Sequence, residues 1–217
     1  MILSINNFLA NKKVEKTFKE ILEGYCLFRE KYTVGDHSIM KYLAVHGQNP
    51  QIMLVSCCDS RVDPALILQC DPGDLFVTRN VANIVPPYEK DNALHGTSAA
   101  LEFGIRLLNI QHLILLGHSQ CAGISALLND PDLSSNDFIM QWVSSIKVPG
   151  KTASDNDQDE YAKLGLTRSY ENCLTFPWIK EKLEKKILTI HRWFFDIKKG
   201  QIFTYSDVYG VYQALDL

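Results

Sequence analysis

Two short runs constrain the fold of this chain most: QIMLVSCC at 51–58 and HLILLGH at 112–118. Each is apolar without a strict polar alternation, the pattern of a strand buried on both faces of a parallel sheet. Each also ends in reactive side chains, Cys57-Cys58-Asp59-Ser60-Arg61 after the first and His118-Ser119-Gln120-Cys121 around the end of the second. In a parallel sheet, binding sites collect beyond the C-terminal strand ends. The two clusters are therefore expected at one place, although they stand far apart in the chain.

The surrounding pattern supplies the rest of an α/β sheet flanked by helices. Residues 14–31 carry apolar positions at helical spacing and predict an amphipathic helix. About a dozen residues of connecting chain then lead through HGQNP into the first strand. Asp63-Pro64 is a helix start, with Asp as cap and Pro in the first turn, running to about Gln69. DLFVTRNV (74–81) predicts a strand, 93–108 a helix and 122–128 a short helix. Residues 138–146 read as helical, and KVPGKTASDNDQDE (147–160) as a loop. Two helices follow near 161–173 and 178–185. KILTIHRWFFDIKKGQIFTYS (186–206) predicts an antiparallel hairpin at the sheet edge.

Composition narrows the function class. The 217 residues are 46% hydrophobic and 22% charged, the balance of a globular chain read here as a single domain over 1–217. A net charge of −3, with no dense basic stripe, gives no electrostatic case for nucleic acid or an anionic membrane. No apolar run reaches about 18 residues, so no membrane span is expected. The N-terminus lacks a basic region before its short apolar stretch, and the six cysteines show no disulfide rhythm. Reduced thiols in a cytoplasmic setting are the expectation. Cysteines 26, 58, 70 and 173 are read as small buried hydrophobes.

One cysteine of the adjacent pair, together with His118 and Cys121, makes two thiolates and an imidazole, a donor set that suits zinc. Three protein ligands leave a fourth position open, as catalytic sites do. Alone, an H-x-x-C pair is as readily a pair of core residues. On an extended strand Cys57, Asp59 and Arg61 point one way, and Cys58 faces the other as a core residue. Asp59 and Arg61 form a natural charge pair. On a bare surface such a pair does little, whereas beside a metal it orients a proton acceptor.

Cys57-Cys58-Asp59-Ser60-Arg61 with His118-Ser119-Gln120-Cys121 resembles the paired C-x-D-x-R and H-x-x-C signature of β-class carbonic anhydrases. PGDLFVTRNVANIVPPY (72–88), GTSAALEFGI (96–105), LILLGHSQCAGI (113–124), NCLTFPWI (172–179) and HRWFFDIKKGQIF (191–203) extend the likeness over roughly 30–205. The resemblance implies Zn2+ on Cys57, His118 and Cys121, with Asp59 either the partner of Arg61 or, when the site closes, a fourth ligand. It implies attack of zinc-bound hydroxide on carbon dioxide to give bicarbonate. Gln48 would then donate to a substrate oxygen, Phe76 and Val81 would line an apolar slot, and Ala122 would present its backbone N–H. Leu54 replaces the Trp of members that close, and Gln48 is the residue of members that stay open. Leu94 replaces a Tyr common in open members, and Ala122 a common Gly. His95 is one candidate proton carrier, without assignment. The family unit is a dimer, so a homodimer or homotetramer is expected, with residues 1–30 as a helical arm packing on the neighbouring subunit. A hydrolase of a sulfur analogue of carbon dioxide, or a non-catalytic zinc protein, would share this site. A thiol redox role for Cys57-Cys58 would leave His118 and Cys121 unexplained.

Overall fold

The computed structural model describes residues 16–35, 37–91, 93–129, 138–146 and 158–215, and the chain divides into two compact units, Met1–Gln48 and Asn49–Leu217. In the first unit, helix α1 (Phe18–Thr33) starts where the sequence provides a capping box: Glu20 N–H donates to Thr17 Oγ1 at 3.3 Å, and Thr17 N–H donates to the Glu20 carboxylate at 2.7 Å. Helix α2 (Ile39–His46) lies where the sequence predicts only connecting chain. It is a short helix between two glycines, and Gly47 (φ 77°) ends it by donating its N–H to the Leu43 carbonyl.

The second unit is built on a six-stranded sheet. Its strands are β1 (Ile52–Cys57), β2 (Leu75–Asn80), β3 (His112–His118), β4 (Thr189–Asp196), β5 (Gln201–Ser206) and β6 (Val211–Ala214), in the order β2-β1-β3-β4-β5-β6. The first three pairings are parallel and the last two antiparallel. The expected mostly parallel sheet is thus present. β1 is central and buried on both faces, which is why its sequence does not alternate. Met53 and Val55 join the larger core with Leu113 and Leu115, whereas Leu54 packs on the other face with Ile114 and Leu116.

Helices follow the strands: α3 (Pro64–Leu68), α4 (Gly96–Glu102), α5 (Ala122–Asn129), α6 (Ile139–Ser144), α7 (Gln158–Cys173) and α8 (Pro177–Glu184). Asp63 caps α3 as its sequence predicts, accepting from the N–H groups of Ala65 and Leu66. The expected helix over 93–108 is shorter and changes character, passing from α4 into a π-helical turn at Phe103–Leu107. Gly104 lies in this turn, where an added Cβ would stand 2.7 Å from Met53 Sδ. Of the loop expected at 147–160, residues 147–157 lie outside the described residues, and 158–160 instead open α7. The hairpin of β4 and β5 is present, but β6 extends it, so β5 is not the edge. That strand is four residues of VYQA behind a Tyr-Gly turn, too short to stand out from sequence. Among the described residues no helix is long and apolar enough to cross a membrane.

Candidate active site

Sheet register brings the two reactive clusters together. Ser56 pairs with Leu116, so Cys57 and His118 leave neighbouring strands at the same end. After β1, Cys58 N–H still donates to the Asn80 carbonyl, and the chain then turns, with Val62 N–H bonding the Asp59 carbonyl. After β3, Gln120 adopts a left-handed backbone (φ 55°) that returns the chain toward Cys121.

Ligand atoms of Cys57, His118 and Cys121 all lie within 4.8 Å of one another, and all three residues are buried. The two sulfurs are 3.9 Å apart. His118 Nδ1 is 2.9 Å from the Ser119 carbonyl, which can only accept, so the ring proton sits on Nδ1. That leaves Nε2 with a lone pair, buried and without a hydrogen-bond partner. An orphaned imidazole nitrogen beside two thiols is what a metal ligand looks like when its other nitrogen is tied down. Among the described residues no other group of three His, Cys, Asp or Glu side chains converges this way. The hydrogen bond from Cys121 draws the Cys57 thiol down to about 4, with help from His118, while the same bond and burial push Cys121 up. The pair therefore holds a thiolate readily.

Asp59 and Arg61 meet in a bidentate pair. Arg61 Nε donates to Oδ1 at 3.0 Å, Nη2 to Oδ2 at 2.7 Å, and the Arg61 backbone N–H to Oδ1 at 2.9 Å. These bonds hold the Asp59 carboxyl well below the usual carboxylate range. Arg61 Nη2 also donates to the Gln120 carbonyl at 3.1 Å, linking the two loops.

Several residues that sequence reasoning did not single out support this arrangement. Arg79, paired in register with Ser56, donates to the Cys57 carbonyl (2.9 Å), the Asp59 carbonyl (2.8 Å) and Asp63 Oδ2 (2.7 Å). Its only sequence signal is a charge near the end of a strand that begins apolar. Ser119 is tied to β4, its N–H donating to the Phe195 carbonyl and its Oγ accepting from Ile197 N–H. From α7, Asp159 Oδ1 accepts the Gln120 N–H at 2.8 Å, and Gln158 Nε2 donates to the Cys121 carbonyl at 2.9 Å. No sequence signal marked these two.

Phe76, Val81 and Ala122 lie on three different elements. Gln48 closes the first unit and is described with it alone. Phe76 pairs with Met53 in β2, four residues before Asn80, and stacks on Phe103 with ring centroids 5.7 Å apart. Val81 starts the turn after β2, and its carbonyl accepts from Trp142 Nε1 at 2.8 Å. Ala122 is the exposed first residue of α5. Leu54 is wholly buried, and His95 Nε2 lies 2.6 Å from Asp91 Oδ1. Three cysteine expectations are corrected: Cys26 and Cys58 are exposed, and Cys70 is half-buried, so of these four only Cys173 is the buried hydrophobe expected. Cys58 is not core because the strand ends at Cys57 and its side chain leaves the sheet with the turn.

Residues 52–202 match the family model described as carbonic anhydrase. A β-carbonic anhydrase structure, CcaA, superposes with a TM-score of 0.81 at 32% identity, covering 90% of this chain and 98% of that one. The chain belongs to the β-class carbonic anhydrases. A carbonic anhydrase of Synechocystis is 32% identical over 199 residues, 88% of this chain and 72% of the relative. The chloroplastic β carbonic anhydrase 5 of Arabidopsis thaliana is 35% identical over 183 residues, 80% of this chain and 60% of the relative. A tetrameric β-carbonic anhydrase of Sordaria macrospora gives a TM-score of 0.75 at 29% identity, covering 88% of this chain and 97% of that one. The family reaction, and so the activity of this enzyme, is the reversible hydration of carbon dioxide to bicarbonate and a proton. The enzyme is a carbonate dehydratase, a lyase.

Proposed function

We propose that Cys57, His118 and Cys121 hold a zinc ion, and that Asp59 and Arg61 are the catalytic pair beside it. The observation that carries this is the unpartnered, buried Nε2 of His118 facing two thiols, one of them drawn toward thiolate. Two thiolates and an imidazole match zinc in softness and number and leave one position for chemistry. When bound, zinc supplies a Lewis acid that acidifies coordinated water, so a nucleophile exists near neutral pH.

The chain's own residues orient and receive. Oδ1 of Asp59 takes two donors from Arg61, whereas Oδ2 takes one. Oδ2 therefore keeps an acceptor site and is the atom that takes a hydrogen bond from the nucleophile. Arg61 keeps Asp59 ionised and turned away from the ligand set, so the site is of the open kind and Asp59 is not a fourth ligand. Gln48, Phe76, Val81 and Ala122 are proposed as the substrate-binding residues, shared between subunits. A small uncharged gas needs little more than an apolar slot and one donor.

A homodimer or homotetramer fits this reading. α1 buries none of its residues, and Phe18, Ile21, Leu22, Tyr25 and Phe28 leave an apolar stripe exposed along it. Residues 1–30 then serve as an arm on the neighbour, and 1–217 acts as one functional domain. Six free cysteines favour a reducing compartment, and we assign the enzyme to the cytoplasm.

The test is stopped-flow carbon dioxide hydration by the zinc-loaded protein from about pH 6.5 to 9, a range that includes the value near 7 typical of zinc-acidified water, with Asp59→Asn as control. Turnover that rises with pH and is lost in the control supports the assignment. Zinc binding without hydration overturns the substrate and redirects the search to its sulfur analogue.

A further inference from the structure

We propose that Asp159, with Gln158, is a positioning residue: the first turn of α7 holds the second ligand loop so that Gln120 presents its carbonyl to Arg61. The inference rests on the zinc and Asp59–Arg61 reading and extends it to a helix some forty residues further along the chain.

The geometry is a relay through one residue. Gln120 N–H is taken by Asp159 Oδ1 at 2.8 Å, and the Gln120 carbonyl is taken by Arg61 Nη2 at 3.1 Å. The same Nη2 reaches Asp59 Oδ2 at 2.7 Å. The next carbonyl, that of Cys121, is held by Gln158 Nε2 at 2.9 Å. Gln120 holds a left-handed backbone (φ 55°), a conformation that a residue other than glycine keeps only when its surroundings specify it. Asp159 and Gln158 are the two side chains of α7 that specify it. Asp159 also belongs where it stands, since a carboxylate in a first helical turn is favoured by the helix dipole.

Without the Asp159 carboxylate, water satisfies the Gln120 N–H at little cost in stability. What is lost is the direction of the peptide planes on either side of Gln120. Arg61 then shares Nη2 with a carbonyl that wanders, and Asp59 loses its set orientation. Misplacements on that scale slow reactions that depend on alignment while leaving the fold intact.

The experiment compares wild type, Asp159→Ala and Asp159→Asn, each loaded with zinc for kinetics and with cobalt(II) for absorption spectra. Asp159→Ala is expected to keep one metal per chain and a wild-type unfolding temperature. Its kcat/KM for carbon dioxide should fall about tenfold, and its cobalt d–d and thiolate charge-transfer bands should shift. Asp159→Asn, whose amide oxygen accepts the same N–H, should recover both rate and spectrum. A wild-type rate and spectrum in Asp159→Ala overturns the proposal, as does a failure of Asp159→Asn to restore either. Should Asp159→Ala not fold, Gln158→Ala takes its place: a slower rate with shifted cobalt bands supports the proposal, and a wild-type rate and spectrum overturns it. If the wild type itself fails to hydrate carbon dioxide, the functional reading falls, and the cobalt spectra alone still decide whether Asp159 shapes the loop.

Discussion

The two loops that carry the proposed ligands are built by different means. The loop after β1 is held by charge: Arg61 grips Asp59, and Arg79 spans the Cys57 and Asp59 carbonyls and the Asp63 carboxylate. The loop after β3 is held mainly through its backbone, by the ends of β4 and α7. Apart from the bond from Arg61 to Gln120 that links the two loops, the first loop's partners lie within about two dozen residues, whereas the second loop's lie further along the chain. The contrast also divides labour, since the charged loop carries the proposed proton-accepting group and the neutral loop carries two of the three proposed ligands.

The largest expected effect cuts across both loops. Cys57→Ala or Cys121→Ala removes a proposed ligand, and both should fall below one zinc per chain by metal analysis. Activity should drop further than the roughly 100-fold that outer-shell partners cost. A strong asymmetry between the two variants would show that one loop alone holds the metal.

Asp59→Asn comes next and separates chemistry from metal binding. Zinc content should remain at one per chain while carbon dioxide hydration falls about 10²- to 10⁴-fold. Retention of activity would remove the charged loop's distinct role. Arg61→Lys should also be damaging, because an ammonium cannot reproduce the bidentate fork on Asp59.

The bracing itself differs in strength. Arg79→Ala strips three hydrogen bonds from the charged loop, one of them to a carboxylate, and should lower stability by about 2–3 kcal/mol in urea unfolding. Ser119→Ala, in the neutral loop, leaves Ile197 N–H without its acceptor and should cost about 1 kcal/mol. Equal losses would erase the comparison.

The smallest effect is a control away from both loops. His191 sits half-buried beside His112, the first residue of β3. Burial, and then the charge of His112, lower its pKa below the ordinary histidine value. The unfolded chain therefore takes up this proton first as pH falls. The contribution of His191 to stability is intact above the ordinary value and declines as pH drops through it toward the folded value. His191→Phe should flatten the slope between about pH 7.5 and about pH 5.5, which bracket the unperturbed value near 6.5. Urea midpoints of wild type and variant at the two pH values measure it. An unchanged slope would place the titration in the ligand loops instead.

Legibility in sequence followed the same division. Cys57, Asp59 and Arg61 could be read because they stand within one pentapeptide, although β1 ends at Cys57 and it is the turn after it, not strand periodicity, that sets Asp59 and Arg61. His118 and Cys121 could be read as a pair from their H-x-x-C spacing, and the apolar runs before each cluster placed both at strand ends; on a strand they would face opposite ways, and the left-handed turn at Gln120 is what brings them together. Arg79 was hidden in a strand whose other residues explained themselves. Asp159 and Gln158 were hidden more deeply, at the end of a polar stretch that read as loop and that folds at its last residues into α7. The sixth strand escaped because four residues, three of them exposed, carry no period of their own.

By itself, the sequence marked the two reactive clusters, the charge pair and the parallel strands that deliver them, because each is a short local pattern, while the full ligand set came from the family signature that those clusters resemble. Only the tertiary structure decided which distant groups hold those side chains in place. The partners of Gln120, Ser119 and Cys121 are backbone amides, carbonyls and ordinary polar side chains that any chain contains in plenty. What makes them partners is the pairing of β3 with β4 and the docking of α7 beside them, and those are long-range contacts that no local pattern encodes.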